Sequence, residues 1–423
     1  MLMPFHWCFD DFIILQIKCT AGDVSEIVLR EFPPSIEHLS LAENNIPVIK
    51  TEAFVDLKHL RKLILDGNNI SRIVPFAFKG LGKLRELIIH NNHLTKLEKF
   101  SFSGLQNLTA VLLNNNRITT IEESTFAGTS NVRFIYLNDN PIHTIQARAF
   151  ANLRNVEHLI FPSGIRVIEA DAFDGLDSVG LLRLPSMDLS SLEPYTFRGL
   201  THVHVLAIQE SDLGVVKPNV FVGLVNVGSL NLIKNKIDHL QELRITPANR
   251  VKVLRLLGNH VLQAPPFGAV QVEVLENFTV VMNHFPCDCR IHTVLESPLA
   301  NGTSYNFTLI NYCISPLELN GKVIQDMGMD RINRCAREYS LKSWDAAVSV
   351  RFAHLPLLVM YLSSLAVFVC SWSFFRMTSA KLNSLWYFFK LLRNEEAKRG
   401  DEHRRGQLRG SRERSLSYLE WVR

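Results

Sequence analysis

Residues 39–46 read LSLAENNI, and 24 residues on, positions 63–70 read LILDGNNI. Each carries an apolar alternation (Leu39 and Leu41, then Leu63 and Leu65), an asparagine three places later (Asn44, Asn68) and an isoleucine two beyond that (Ile46, Ile70). Working outward, the asparagine returns at 92, 116 and 140 and again at 235, 259 and 283, with apolar residues five and three places ahead of it each time. Ten residues after each of the first five asparagines stands a phenylalanine: Phe54, Phe78, Phe102, Phe126 and Phe150. The register then shortens by one residue, and copies without asparagine resume around Ser163, Met187 and Ser211, with Phe173, Phe197 and Phe221. Eleven copies result, eight with the asparagine. A period of 24 kept over most of a chain makes it an array of one small stacked unit.

Leu-x-Leu sends two side chains to one face of a short strand and the residue between them to the other. A lone strand cannot bury that face, but stacked copies can, with the phenylalanines filling the far side of each coil. The asparagine closes the strand at a turn, where its amide serves backbone groups that would otherwise lack partners. This pattern over residues 34–286 resembles the 24-residue extracellular leucine-rich repeat family. The expected fold is an α/β-type repeat solenoid, a curved array over 34–284 with a parallel sheet on its concave face. The three central copies should be its least regular part, because Ser163 and Ser211 offer only a hydroxyl and Met187 offers no amide.

The stretch after the last repeat, 285–336, holds Cys287, Cys289, Cys313 and Cys335 and resembles the cysteine-rich cap of extracellular leucine-rich arrays, most closely in CISPLELNGKVI around Cys313. Four cysteines allow three pairings. The resemblance implies Cys287 with Cys313 and Cys289 with Cys335, against the competing reading of a zinc site. At the front, residues 1–33 with Cys8 and Cys19 ahead of REFPPSIEHLSL resemble the second half of an N-terminal cap that usually carries four cysteines. FIIL is too short for a signal peptide, so an upstream signal and the first cap cysteines are expected outside this sequence.

A stalk over 337–351 leads to FAHLPLLVMYLSSLAVFVCSWSFF at 352–375, bracketed by Arg351 and Arg376. At about 1.5 Å per residue this stretch reaches roughly 36 Å, enough for a hydrocarbon core of about 30 Å. It reads as a transmembrane helix, followed by a basic tail over 376–423 with twelve Lys or Arg against six Asp or Glu. That asymmetry orients the chain as a single-pass type I protein of the plasma membrane with its repeats outside. Sequons at Asn69, Asn107, Asn277, Asn301 and Asn306 all precede the span, and each is a candidate glycosylation site. LWYFFKLLR at 385–393 reads either as an interfacial segment or as a continuation of the helix.

The net charge of +4 is carried by the tail, since the residues before it hold 33 cations against 35 anions. A near-neutral array offers no basic stripe for nucleic acid. The fifteen histidines show no ligand spacing, and no nucleophile or acid–base constellation is evident, so neither metal, cofactor nor catalysis is expected. Function is sought on the inner face. The residues between the paired apolars run Ser40, Ile64, Ile88, Leu112, Tyr136, Ile160, Arg183, Ala207, Asn231, Arg255 and Thr279, five in succession large and apolar. With Phe134 beside them and Asp66, His90 and Asp139 nearby, they have the composition of an interface core and its rim. The expected role is a receptor or adhesion protein binding a protein ligand or a cell-surface protein, with homodimer formation left open. The alternative is an accessory membrane subunit of a channel or another receptor.

Overall fold

The computed structural model describes residues 8–11, 16–19, 32–303, 305–328, 330, 333–334, 361–373, 376, 378 and 383–394. The chain divides into two compact units, 1–339 and 340–423. In the first, a 13-stranded sheet runs along the array. Its first two strands, Cys8–Asp11 and Gln16–Cys19, pair antiparallel. Gln16–Cys19 then pairs parallel with His38–Ser40, and parallel neighbours continue one coil at a time through Lys62–Ile64, Glu86–Ile88, Ala110–Leu112 and Phe134–Tyr136 to Asn277–Val281.

The apolar alternation explains the strands. Leu63 and Leu65, Leu87 and Ile89, and Val111 and Leu113 are fully buried, while the residues between them face outward. Behind the sheet Phe54, Phe78, Phe102, Phe126, Phe150, Phe173, Phe197 and Phe221 form a column of stacked rings with centroids 5.3 to 6.1 Å apart. Strands within a sheet sit about 4.8 Å apart. The ring column therefore spaces the coils more widely than the sheet does, and the sheet lies on the concave side.

The asparagines form two hydrogen-bond ladders. In the first, Asn92 Nδ2 donates to the carbonyls of Leu65 (2.9 Å), His90 (2.9 Å) and Ile89 (3.3 Å), and its Oδ1 accepts from the Ile70 N–H two residues past the previous asparagine. Asn116 and Asn140 repeat this pattern. In the second, each Oδ1 accepts from the N–H of the preceding rung itself: Ser211 to Asn235, Asn235 to Asn259, Asn259 to Asn283, and Asn283 to Asn311. The last rung belongs to the cap.

One expectation is borne out here and one is corrected. The register shortens by one residue, after the strand Asn155–Ile160, because Tyr136 pairs with Ile160 at the full period while Ile160 pairs with Arg183 one residue early. The missing residue comes out of the turn at Pro162–Gly164, and the buried Phe161 packs edge-on between Phe150 and Phe173 at 5.6 and 6.5 Å. The central copies are also the most extensively paired, not the least regular. Strands lengthen to Ser178–Pro185 and His202–Gln209, and Leu181 to Pro185 pair without a break with Val205 to Gln209. The turn bond of the asparagine coils is kept, with Ser186 N–H donating to the Gln209 carbonyl, and the Ser211 hydroxyl takes the place of an amide oxygen by accepting from Met187 N–H.

At the C-terminal end Cys287 and Cys313 form a disulfide with Cα atoms 5.3 Å apart. Cys289 is also disulfide-bonded, and Cys335, its expected partner, lies outside the described residues. Cys19 is disulfide-bonded too, and its backbone is in register with that of Cys8. Buried Ile291, Val294, Leu299, Phe307 and Ile324 join the apolar core of the array and cover its last coil.

In the second unit the described residues include helical stretches at 361–373 and 383–394, both with exposed side chains. The transmembrane helix expected over 352–375 is not supported: among the described residues no helix is long and apolar enough to cross a membrane. Residues 352–360 and 374–375 of that stretch lie outside the described ones.

Candidate functional site

The strand pairing aligns the whole expected row: Ser40, Ile64, Ile88, Leu112, Tyr136, Ile160, Arg183, Ala207, Asn231, Arg255 and Thr279 are successive cross-strand neighbours. Ile64, Ile88, Leu112, Tyr136 and Ile160 are all half-buried, because each shields the flanks of the next. They form a low apolar ridge whose tops face solvent. Phe134 stands one column away, its ring edge-on to His158 at 5.6 Å and under the Arg133 guanidinium at 5.7 Å. Arg133 is in turn ion-paired to Glu157, so Phe134 is held in one orientation.

Along the other side of the ridge the polar residues are tied together. The Asp66 carboxylate lies 2.5 Å from His90 Nδ1 and accepts from Asn91 Nδ2 at 3.0 Å, and Asn115 Nδ2 donates to Asn91 Oδ1 at 2.5 Å. Asp139 accepts from its neighbour Asn138 at 2.7 Å. Asp66 and His90 are thus joined, whereas Asp139 sits two coils from His90 in a separate contact. Glu43, Asn91, Asn115 and Asp139 occupy the same left-handed turn position, with φ between 53° and 56°. That conformation aims the turn backbone of successive coils alike, and Asn and Asp tolerate it better than most residues. All five sequon asparagines are exposed. Asn107 Nδ2 donates to the Gly82 carbonyl at 2.6 Å, and Asn277 occupies the concave strand one column from Thr279.

Sequence reasoning missed a second concave feature. Beside the row, a groove of about 540 Å³ opens over the central and later strands, and Arg255 is the member of the row that lines it. Gly180 and Gly228 form part of its floor, with His202, His204, Arg255 and the Lys252–Glu276 pair around it. A Cβ at Gly180 or Gly228 would meet the Glu157 or His204 carbonyl oxygen at 2.6 or 2.5 Å, so close backbone contact excludes side chains there. The two glycines at matching places in strands two coils apart were the available signal. Among the described residues no group of three or more potential metal ligands comes together.

Comparison with known proteins agrees with this architecture. A leucine rich repeat model matches residues 34–94, 58–118 and 82–142, and a BspA type leucine rich repeat region matches 119–243. The two models divide the array about where the first asparagine ladder gives way. No curated protein matches the chain significantly. Among solved structures, one titled human 5T4 (Wnt-activated inhibitory factor 1, trophoblast glycoprotein) is 17% identical, covering 77% of this chain and 97% of that one with a TM-score of 0.38. At that identity and score the likeness carries no argument about the site. Residues 34–243 of the chain are thus similar to leucine-rich repeats.

Proposed function

We propose that this protein is a cell-surface receptor or adhesion protein whose repeat array binds a protein ligand through the early concave face. The observation that carries this reading is the unbroken row Ile64, Ile88, Leu112, Tyr136 and Ile160, aligned by strand pairing and bordered by polar residues. Most long apolar side chains of the array are fully buried, so a half-open row of them on the extended inner surface supports an interface core. Burying such side chains contributes roughly 1.5 to 3 kcal/mol each, whereas association costs about 4 to 15 kcal/mol, so the ridge anchors a complex that polar contacts must complete.

Attachment to the membrane through residues 352–375 belongs to the same proposal. It is supported by the uncharged composition of that stretch and by the exposure of Tyr361, Leu362, Leu365, Phe368 and Trp372 on its described helix. A helix apolar on every side needs either a protein core or lipid around it. The second reading, an accessory subunit within the membrane, is favoured by the helix at 383–394, where Trp386, Tyr387, Phe388 and Phe389 are exposed as well.

The test displays the full chain on cells and probes it with an arrayed panel of extracellular proteins. Replacing Leu112 and Tyr136 together with Asp should abolish the binding found while leaving surface level unchanged, because both side chains point away from the core. Normal binding by a well-displayed double mutant would transfer the interface to the convex side, the cap or the membrane segment.

A further inference from the structure

Most cations of the array are neutralised by a carboxylate one coil away: Arg61 by Glu37 (3.2 Å), Lys62 by Glu86 (2.8 Å), Lys217 by Glu193 (2.6 Å), Lys234 by Glu210 (3.4 Å) and Lys252 by Glu276 (3.4 Å). Arg255 departs from this scheme. It sits in the central concave column at the groove, half-buried, and among the described residues no carboxylate lies within ion-pair distance of it. Its Nη1 donates instead to two neutral acceptors, Ser229 Oγ at 2.8 Å and Asn231 Oδ1 at 3.3 Å. Ser229 Oγ itself donates to Asn231 Oδ1 at 2.8 Å, closing a small triangle that fixes the guanidinium.

A guanidinium carries five N–H donors in a rigid fork, and these contacts engage only one of its terminal nitrogens. The other nitrogens are left without a charged acceptor on a surface that has room above it. Among the described residues, the one carboxylate that lines the groove, Glu276, is already engaged by Lys252. Gly180 and Gly228 line the groove without side chains, their backbones packed closely on the Glu157 and His204 carbonyls of the preceding strands.

We propose that this groove receives an acidic segment of the protein partner, with an Asp or Glu carboxylate taken by the Arg255 fork. Arg is suited to that role because its planar donors match a carboxylate with two parallel bonds, and holding the fork in advance lowers the ordering cost of binding. The inference rests on the concave-face reading above. It adds a polar specificity site about four coils beyond the apolar ridge and assigns its chemistry. Asn277 adjoins the groove at the edge strand, so a glycan there would border the acidic segment.

The experiment uses the full chain, purified in detergent, and a synthetic library of extended octapeptides with Asp, Glu, Asn or Gln fixed at one central position. Wild-type protein should retain the Asp and Glu sets over their amide counterparts by about tenfold. Arg255→Gln should erase that preference. Arg255→Lys should recover only part of it, because an ammonium keeps the charge and loses the fork. Ser229→Ala, which frees the guanidinium without deleting it, should weaken the preference several-fold and keeps the test alive if Arg255→Gln fails to fold. Equal retention of acidic and amide sets by the wild type, or an acidic preference unchanged in folded Arg255→Gln, would overturn the proposal. Loss of panel binding in the Leu112 and Tyr136 double mutant with no effect of Arg255→Gln would sink this inference alone. Indifference to both variants would sink the concave-face reading with it.

Discussion

Asn116 makes four hydrogen bonds where the chain leaves its strand. Its Nδ2 donates to the carbonyls of Ile89 (2.9 Å), Leu113 (3.0 Å) and Asn114 (3.4 Å), and its Oδ1 accepts from Leu94 N–H (3.2 Å). The residue is 6% exposed, so water cannot replace these partners. Each buried group left without a partner costs about 1 to 3 kcal/mol, and Asn116→Ala should therefore destabilise the protein by roughly 3 kcal/mol. A urea midpoint within experimental error of wild type would contradict the ladder's structural role. Met282 offers the opposite case. It has φ of 58° at the turn position where other coils place Gly67, Asn91 or Asp139, and its side chain is exposed. Left-handed backbone costs a residue with a Cβ about 1 to 2 kcal/mol, partly offset by the entropy glycine gives up on folding. Met282→Gly should raise stability by about 0.5 to 1 kcal/mol in the same melt, and a loss would mean that the Met282 side chain packs against the cap. The sequence exposed the asparagine column because its period is regular. It hid Asn311, the rung that ends the second ladder, because the cap sets that residue 28 positions past Asn283 instead of 24.

Among the elements, the junction between array and cap depends on three neighbouring strands. His260–Val261, His284–Pro286 and Tyr312–Ser315 pair in parallel, and the rings of their first residues meet: His260 lies edge-on to His284 at 4.5 Å, and His284 stacks on Tyr312 at 5.2 Å. His284 Nδ1 is buried without a hydrogen-bond partner. Burial chiefly, and the nearby charge of His260 when protonated, hold His284 below the ordinary value of 6.5, against a weaker opposing bond with the Met282 backbone. A depressed folded pKa means that the unfolded chain takes up the proton first. The contribution to stability is therefore complete above about pH 6.5 and is lost progressively as pH falls from there through the folded value. Thermal melts from pH 7.5 down to 5 should show a steeper loss for wild type than for His284→Phe, which keeps the stack and removes the titration. Parallel slopes would place the pH response elsewhere. The resemblance of 285–336 to a cap pointed to Cys287 and Cys313, but nothing in the spacing of three aromatic side chains 24 and 28 residues apart marked them as a stack. Such contacts depend on strand register, which a linear pattern states only within the repeats.

Across the whole molecule, the regular repeats were readable because one side-chain period sets strand, turn and ring column together. The expectation for the centre failed for a definable reason: it took the asparagine amide as the requirement for order. When Ser163, Met187 and Ser211 replace that amide, the strands extend and the backbone pairs with itself. The groove went unread for a related reason, since Gly180, Gly228 and Arg255 matter through columns three residues apart on different strands. The ladder break at Pro162–Gly164 and the wide pairing beside it make opposing predictions about cooperativity. If side-chain amides dominate, the array should open first at that break. If backbone pairing and the continuous core dominate, the central strands should be the last to open. The second outcome is favoured, because Phe150, Phe161 and Phe173 pack across the break and five consecutive residues pair between Leu181–Pro185 and Val205–Gln209. Hydrogen exchange of the full chain should then show amides at 182–184 and 206–209 at least as protected as those at 63–64 and 111–112, whose strands pair over three residues. Faster exchange in the central strands than on either side would establish that the asparagine ladders, and not the sheet, hold this solenoid together.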